Sequence, residues 1–414
     1  MTAQRNSGAK PQFRGQAPNC VPDPGIAVEF LGCKVSMTDA QEIRERLLAE
    51  GHADAVPEAA GVRVVNTCCV TAEAVAKSRK AVRRAARTAE RVFVTGCGAN
   101  MAGAAFEGLG ANVTVVRARS ELTPAVVAGW VGALGCAGGQ PPAFPRTRVY
   151  VKVQDGCSFG CSYCIIPQVR GPSRSRRAGD VLAEIARRAA QGHREVVLTG
   201  INLGCFRDRA AGLRLAGLLV AAAEIDGIER VRLSSIEVNH LTDDLCAAMA
   251  HPRVAGHLHV PMQSGDDGVL RAMRRRYTAA GFLGRVARAR QRVPGLNLTT
   301  DVIVGHPAED EAAFLRTLAA VRAAGFSKVH VFPYSPRPGT VDAAADPVPA
   351  TVKADRSRRL RALSDAQAAA HRRALRGTRQ RVLIETPQGR GYGEDYTPFV
   401  VPGGEPGTIV EVVA

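Results

Sequence analysis

The chain has 414 residues, 46% of them hydrophobic, enough for roughly two or three domains with buried cores. A formal net charge of +17 points to a polyanionic partner, of which nucleic acid is the commonest. Eleven cysteines, with no apolar export segment at the N-terminus, fit a reducing cytoplasm where thiols serve as metal ligands, and no stretch is apolar enough to cross a bilayer.

Residues 1–24 are polar and rich in Gly, Pro and Gln, the composition of a disordered tail. Short apolar runs then alternate with Ala-rich helical stretches, which predicts an α/β fold. The run IAVEFLGC comes first, followed by a helix that Thr38 and Asp39 would cap, with Ile43, Leu47 and Leu48 on its apolar face and Gly51 as its stop. GVRVVNTC with its helix and RVFVTGC complete an N-terminal parallel α/β domain over residues 25–136. The Pro/Gly-rich segment Cys136 to Arg148 marks a boundary. Six strand candidates follow (VYVKV, EVVLTG, VRLSS, HLHVPMQ, TTDVIVG and KVHVFPYS), predicting a partial (β/α)6 barrel over residues 147–372. An Arg/Ala helix from about Thr351 to Arg376 leads to four short β runs at 377–414, expected to form a small C-terminal β-barrel.

The chemistry is concentrated in GCSFGCSYCIIP. Cys157, Cys161 and Cys164 lie on a loop after a strand and could each bind one iron of a cubane cluster, leaving the fourth iron free. A free iron beside Tyr163 suits S-adenosylmethionine, which can chelate it while its adenine packs on the ring. Zinc is the alternative, but zinc sites usually draw on paired Cys-x-x-Cys units or on histidines, and neither lies nearby. One-electron cleavage of that ligand gives a radical that attacks carbon–hydrogen bonds no acid–base residue could ionise. A second thiolate trio follows from topology. Cys33, Cys68 and Cys97 each end a strand of one parallel sheet, whose carboxyl ends share an edge. Three buried structural cysteines would be the plainer reading. Cys69 competes with Cys68 for this role, whereas Cys20, Cys136, Cys205 and Cys246 have no matching context. Asn202, Glu237, Gln263 and Asp301 fall at or beside barrel strand ends, facing the cluster loop. Ser235 joins them and Tyr163 as a candidate contact to S-adenosylmethionine. His240, His257 and His259 are expected to be structural or to touch substrate.

Basic residues form three groups that could face RNA. Lys80, Arg84, Arg87 and Arg91 recur at helical spacing; Arg170, Arg174 and Arg176 follow the cluster loop; Arg271, Arg274, Arg275 and Arg276 form a third group beside Gln263. With only 5% aromatic residues, charge contacts to the backbone should outweigh base stacking.

Taken together, LGCKVSMTDAQ, NTCCVT, VTGC, the cluster loop with VRGPSRSR, LTGINLG, LSSIE, VPMQSGDDGVLRAMRRRY, TTDVIVGHPAED and FPYSPRPGT resemble the methylthiotransferase branch of the radical S-adenosylmethionine enzymes. The resemblance runs from about Ile26 to the C-terminus, whose β module looks like the RNA-binding TRAM domain. It implies two 4Fe–4S clusters and S-adenosylmethionine, with the Cys33, Cys68 and Cys97 cluster carrying the sulfur and the Cys157, Cys161 and Cys164 cluster generating the radical. It also implies a methylthio group inserted at carbon 2 of an adenine in a tRNA anticodon stem-loop, a flavodoxin- or ferredoxin-like electron donor, and a source of sulfur. LGCKV looks most like the branch acting on N6-threonylcarbamoyladenosine. Isopentenyladenosine tRNA and a ribosomal protein are alternative targets, and a non-catalytic, metal-stapled RNA-binding protein is the rival of another class. Ser36 departs from the family pattern where Asn is usual, as does His306 where an aromatic is usual.

Overall fold

A computed structural model describes residues 25–103, 105–117, 147–344 and 346–414. The expected tail over residues 1–24, the end of the expected N-terminal domain over 118–136 and the boundary segment up to residue 146, with Cys20 and Cys136, lie outside the described residues.

Four parallel strands, Ile26–Phe30, Val62–Thr67, Arg91–Gly96 and Val113–Val115, lie side by side in chain order. The second and third are buried almost throughout, as a sheet covered on both faces requires. The fourth strand has only three residues, too short for its alternation to stand out in the sequence. The first helix spans Lys34–Ala49 and starts straight after Cys33, four residues ahead of Thr38. Thr38 and Asp39 are therefore inside the helix and buried. Asp39 accepts instead from Lys152 Nζ at 2.7 Å and Arg170 Nη2 at 2.8 Å, two cations more than a hundred residues further along the chain. Gly51, at φ +95°, follows the helix end as expected. The second helix, Ala72–Thr88, is capped by Thr71, whose side chain accepts from the Ala74 amide.

All six expected barrel strands form: Arg148–Lys152, Glu195–Thr199, Arg230–Leu233, His257–His259, Asn297–Val304 and Lys328–Pro333. They pair in parallel as two groups of three, and a Val231–Val254 bridge joins the groups. One large apolar cluster, including Val151, Val196, Leu218, Leu258, Phe282 and Val302, packs strands against surrounding helices.

The helix Ala350–Ala374 leads to the last four strands, Arg379–Ile384, Arg390–Tyr392, Pro398–Val400 and Ile409–Val413. These pair as one antiparallel sheet, and among the described residues no pairing joins its two outer strands into the expected barrel. The sheet docks against the amino-terminal ends of the barrel strands. Arg148 pairs with Glu385 at 2.7 Å, Arg230 donates to the Arg381 carbonyl at 2.8 Å, and Arg232 donates to the Gly393 and Glu394 carbonyls. Tyr396, at φ +69°, stacks between His257 and Tyr392 with the Arg232 guanidinium 4.8 Å from its ring centre.

Candidate active site between two cysteine sets

The loop carrying Cys157, Cys161 and Cys164 leaves the first barrel strand through Gly156. Its φ of +69° and its contact with the Pro172 carbonyl, 2.1 Å from where a Cβ would lie, admit only glycine. Gln154 Nε2 donates to the carbonyls of Asp155 and Gly156, while its Oε1 accepts from the Asn202 amide at 2.8 Å, tying the loop to the next strand. Hydrogen-bond donors already point at the sulfurs. Arg275 Nη1 reaches Cys161 Sγ at 3.3 Å, and the Phe159 amide reaches Cys157 Sγ at 3.4 Å. Burial pushes the Cys164 thiol up to about 12, so a positively charged metal centre is what would stabilise its thiolate there.

The second trio gathers at one sheet edge. Cys68 and Cys97 directly follow the second and third strands, and Cys33 lies three residues past the first. A Cβ on Gly32 would stand 3.2 Å from Cys68 Sγ, so the Cys33 turn rests on Cys68. Cys33 is exposed while Cys68 and Cys97 are buried. Burial raises Cys97 to about 11 against the opposing pull of Arg170, whose Nε donates to Cys97 Sγ at 3.0 Å. Cys69 is fully buried in an apolar cluster with Cys97, Met101, Ile165 and Val169, and burial raises its pKa further still.

Three cysteines holding one tetrahedral zinc would bring their sulfurs within about 4 Å of one another, given zinc–sulfur bonds near 2.3 Å. Among the described residues only His259, Asp301 and His330 bring three ligand atoms within 4.8 Å of each other. Among the described residues, neither cysteine trio is drawn in closely enough to enclose a single ion.

One cavity of about 640 Å³ joins these parts. Its walls include Cys157, Cys161, Cys164 and Cys33, together with all six predicted contacts: Tyr163, Asn202, Ser235, Glu237, Gln263 and Asp301. Arg275 bridges Glu237 and Cys161. Gln263, at φ +66°, is held in a strained backbone state by its bonds to the Asp301 carbonyl and the Ile303 amide. Asn202 Oδ1 and Ser234 Oγ are buried in this wall without hydrogen-bond partners among the described residues. Unpaired buried oxygens of this kind mark where a polar ligand completes the structure. The donor set thus fits a cubane cluster with S-adenosylmethionine.

The basic residues divide sharply. Lys80, Arg84 and Arg87 share the exposed face of Ala72–Thr88, opposite buried Val82 and Ala85; Arg91 begins a strand instead. Arg174 and Arg274 are exposed as well, and Arg176 is half-buried and paired with Glu184. Arg170 and Arg275 are corrections to the RNA-facing group. Their side chains are 5% and 4% exposed, the first clasped by Asp39, Asp155 and Cys97 and the second by Glu237 and Cys161, so neither can reach a phosphate. Sequence reasoning missed Lys34, Ser234 and His330 in the cavity wall. Lys34 could have been found from its place beside Cys33, and His330 from the alternation in KVHVFPYS.

The Radical SAM superfamily pattern matches residues 151–321, and that of Uncharacterized protein family UPF0004 matches residues 25–117. Threonylcarbamoyladenosine tRNA methylthiotransferase MtaB of Bacillus subtilis (strain 168) is 36% identical over 361 residues, covering 82% of this chain and 80% of that protein. The chain belongs to the radical SAM methylthiotransferase family. The tRNA-2-methylthio-N(6)-dimethylallyladenosine synthase of Sorangium cellulosum (strain So ce56) is also 36% identical, over 418 residues, covering 89% of this chain and 84% of that protein. Among solved structures, the radical S-adenosylmethionine methyltransferase TsrM from Kitasatospora setae, with cobalamin and a 4Fe–4S cluster bound, superposes with a TM-score of 0.55. The sequences are 14% identical, with 78% of this chain and 77% of that one covered, and the likeness is one of fold. As a radical SAM methylthiotransferase the protein is an enzyme whose cofactors are S-adenosylmethionine and 4Fe–4S clusters. Among the described residues, no helix is long and apolar enough to cross a membrane.

Proposed function

We propose that the protein inserts a methylthio group at carbon 2 of N6-threonylcarbamoyladenosine beside a tRNA anticodon. The observation that carries this reading is the single cavity onto which Cys33 and the Cys157, Cys161 and Cys164 trio both open, so that sulfur delivery and hydrogen removal can address one adenine. Cys157, Cys161 and Cys164 would hold one cluster, and Cys33, Cys68 and Cys97 the other. When bound, the two clusters and S-adenosylmethionine supply the one-electron chemistry and the sulfur. The chain's own residues do the positioning. Glu237, clamped by Arg275, and the unpaired Asn202 Oδ1 and Ser234 Oγ offer acceptors to the amino and hydroxyl groups of S-adenosylmethionine, and Tyr163 offers a face for its adenine. The exposed Lys80, Arg84, Arg87, Arg174 and Arg274 would take phosphates, with the C-terminal sheet as an added RNA-binding module.

MtaB supports the threonylcarbamoyl target by name, and the Sorangium cellulosum relative supports dimethylallyladenosine at equal identity. Mass spectrometry of tRNA nucleosides from a deletion strain decides. Loss of 2-methylthio-threonylcarbamoyladenosine is expected, and its unchanged level refutes the proposed substrate. An electron donor of flavodoxin or ferredoxin type and a sulfur source complete the proposed partners.

A further inference from the structure

Below the main cavity lies a second chamber of about 470 Å³, and the two share Lys34, His259 and His330 as walls. The chamber reaches down to the C-terminal sheet at Tyr392 and Tyr396. Its described lining contains no Leu, Ile, Val, Met or Phe; histidines, Lys34, Lys328, Arg372, Asn297 and small hydroxyl side chains make up most of it, against one carboxylate, Asp365. Lys34 stands apart from the buried cations around it; Arg372, the other lining cation with no ion pair among the described residues, is exposed. Arg148 and Arg232 are engaged by Glu195, and Arg275 by Glu237. The Lys34 ammonium has no hydrogen bond or ion pair among the described residues; the Tyr396 ring lies 5.6 Å away, and Asp301 attracts it only at longer range. His259 is already paired with Asp301 at 3.2 Å.

Resting on the substrate reading above, we propose that this lower chamber receives the N6 substituent of the target adenosine and that Lys34 pairs with its carboxylate, making Lys34 the residue that selects a threonylcarbamoyl over a dimethylallyl group. The two substituents differ in just the respects the chamber tests. A threonylcarbamoyl group brings a carboxylate, a hydroxyl and a urea, all of which find donors or acceptors here. A dimethylallyl group would bury the Lys34 ammonium without a carboxylate and leave the hydrogen-bonding groups of the wall unused, with Ala368 and Pro398 its only aliphatic neighbours in the described lining, a mismatch that sites built for a charged substituent reject.

The test uses the reconstituted full-length enzyme with synthetic anticodon stem-loops bearing threonylcarbamoyladenosine, its methyl ester, or dimethylallyladenosine. With wild-type enzyme, esterification is expected to raise KM roughly ten- to a hundredfold, the range of one charge-assisted hydrogen bond, with kcat little changed. Lys34→Gln should show the same rise on the acid and no further rise on the ester, and Lys34→Arg should recover most of the loss. Iron is counted in every variant because Lys34 adjoins Cys33. Should Lys34→Gln lose iron, the wild-type comparison of acid with ester decides by itself. Equal use of acid and ester overturns the Lys34 pairing while leaving the substrate reading standing. Use of the dimethylallyl RNA alone overturns the substrate reading itself.

Discussion

Glu195 holds together three arginines that would otherwise repel one another. It is fully buried on the second barrel strand and pairs with Arg148 at 3.3 Å, Arg230 at 2.5 Å and Arg232 at 3.1 Å. Burial alone would raise its pKa, but the three guanidiniums outweigh burial and hold it at about 2, against an ordinary 4.5. That depression corresponds to ~3 kcal/mol of stability at neutral pH. Removing one partner of a buried ionic network costs a similar ~3–5 kcal/mol, since the remaining charges stay buried. Glu195→Gln should therefore lose about 3 kcal/mol in urea unfolding followed by far-UV circular dichroism at pH 7. The pH dependence has a definite sign. A carboxyl with a depressed folded-state pKa contributes fully above its unfolded value of 4.5 and loses that contribution as pH falls toward 2. The gap between wild type and variant should thus be flat from pH 7 to 5 and narrow below about 4.5. A loss under ~1 kcal/mol at pH 7, or a gap that stays constant to pH 3, would refute the reasoning.

Cys161→Ala should abolish cleavage of S-adenosylmethionine, and Cys68→Ala should spare that cleavage but stop sulfur insertion, as read by chromatography of the nucleoside products; full product formation by both variants contradicts the division of labour between the cysteine sets. Arg170→Gln removes the donor to Cys97 and leaves Asp39 and Asp155 each one partner short. It should lower iron content toward a single cluster on anaerobic reconstitution, and unchanged iron counts against a bracing role. Joint substitution of Lys80, Arg84 and Arg87 by Gln should weaken stem-loop binding and flatten its salt dependence by about 2–3 in log–log slope, measured by fluorescence anisotropy; an unchanged slope removes this helix from the RNA interface.

The barrel strands were legible in the sequence because each is a short apolar run followed by a polar strand end, and all six formed where expected. The convergence of Cys33, Cys68 and Cys97 was legible for a similar reason, since parallel strands put their carboxyl ends on one edge. What stayed hidden depends on partners distant in sequence. Asp39 reads as a helix cap until Lys152 and Arg170 arrive from far along the chain. Arg170 and Arg275 read as solvent-facing cations, because a basic run does not reveal which of its members is turned inward onto a carboxylate or a thiol. The last four strands were legible individually, but closure depends on pairing between outer strands, which no local pattern encodes.

The way Tyr396 and its neighbours pack against the lower end of the barrel gives the C-terminal sheet a duty independent of any grip on nucleic acid. A chain truncated after the Ala350–Ala374 helix would uncover the amino-terminal strand ends, with Arg148, Arg230 and Arg232 facing solvent. Supplying the missing sheet's RNA affinity through another fused domain would not replace the carbonyl and carboxylate partners these arginines lose.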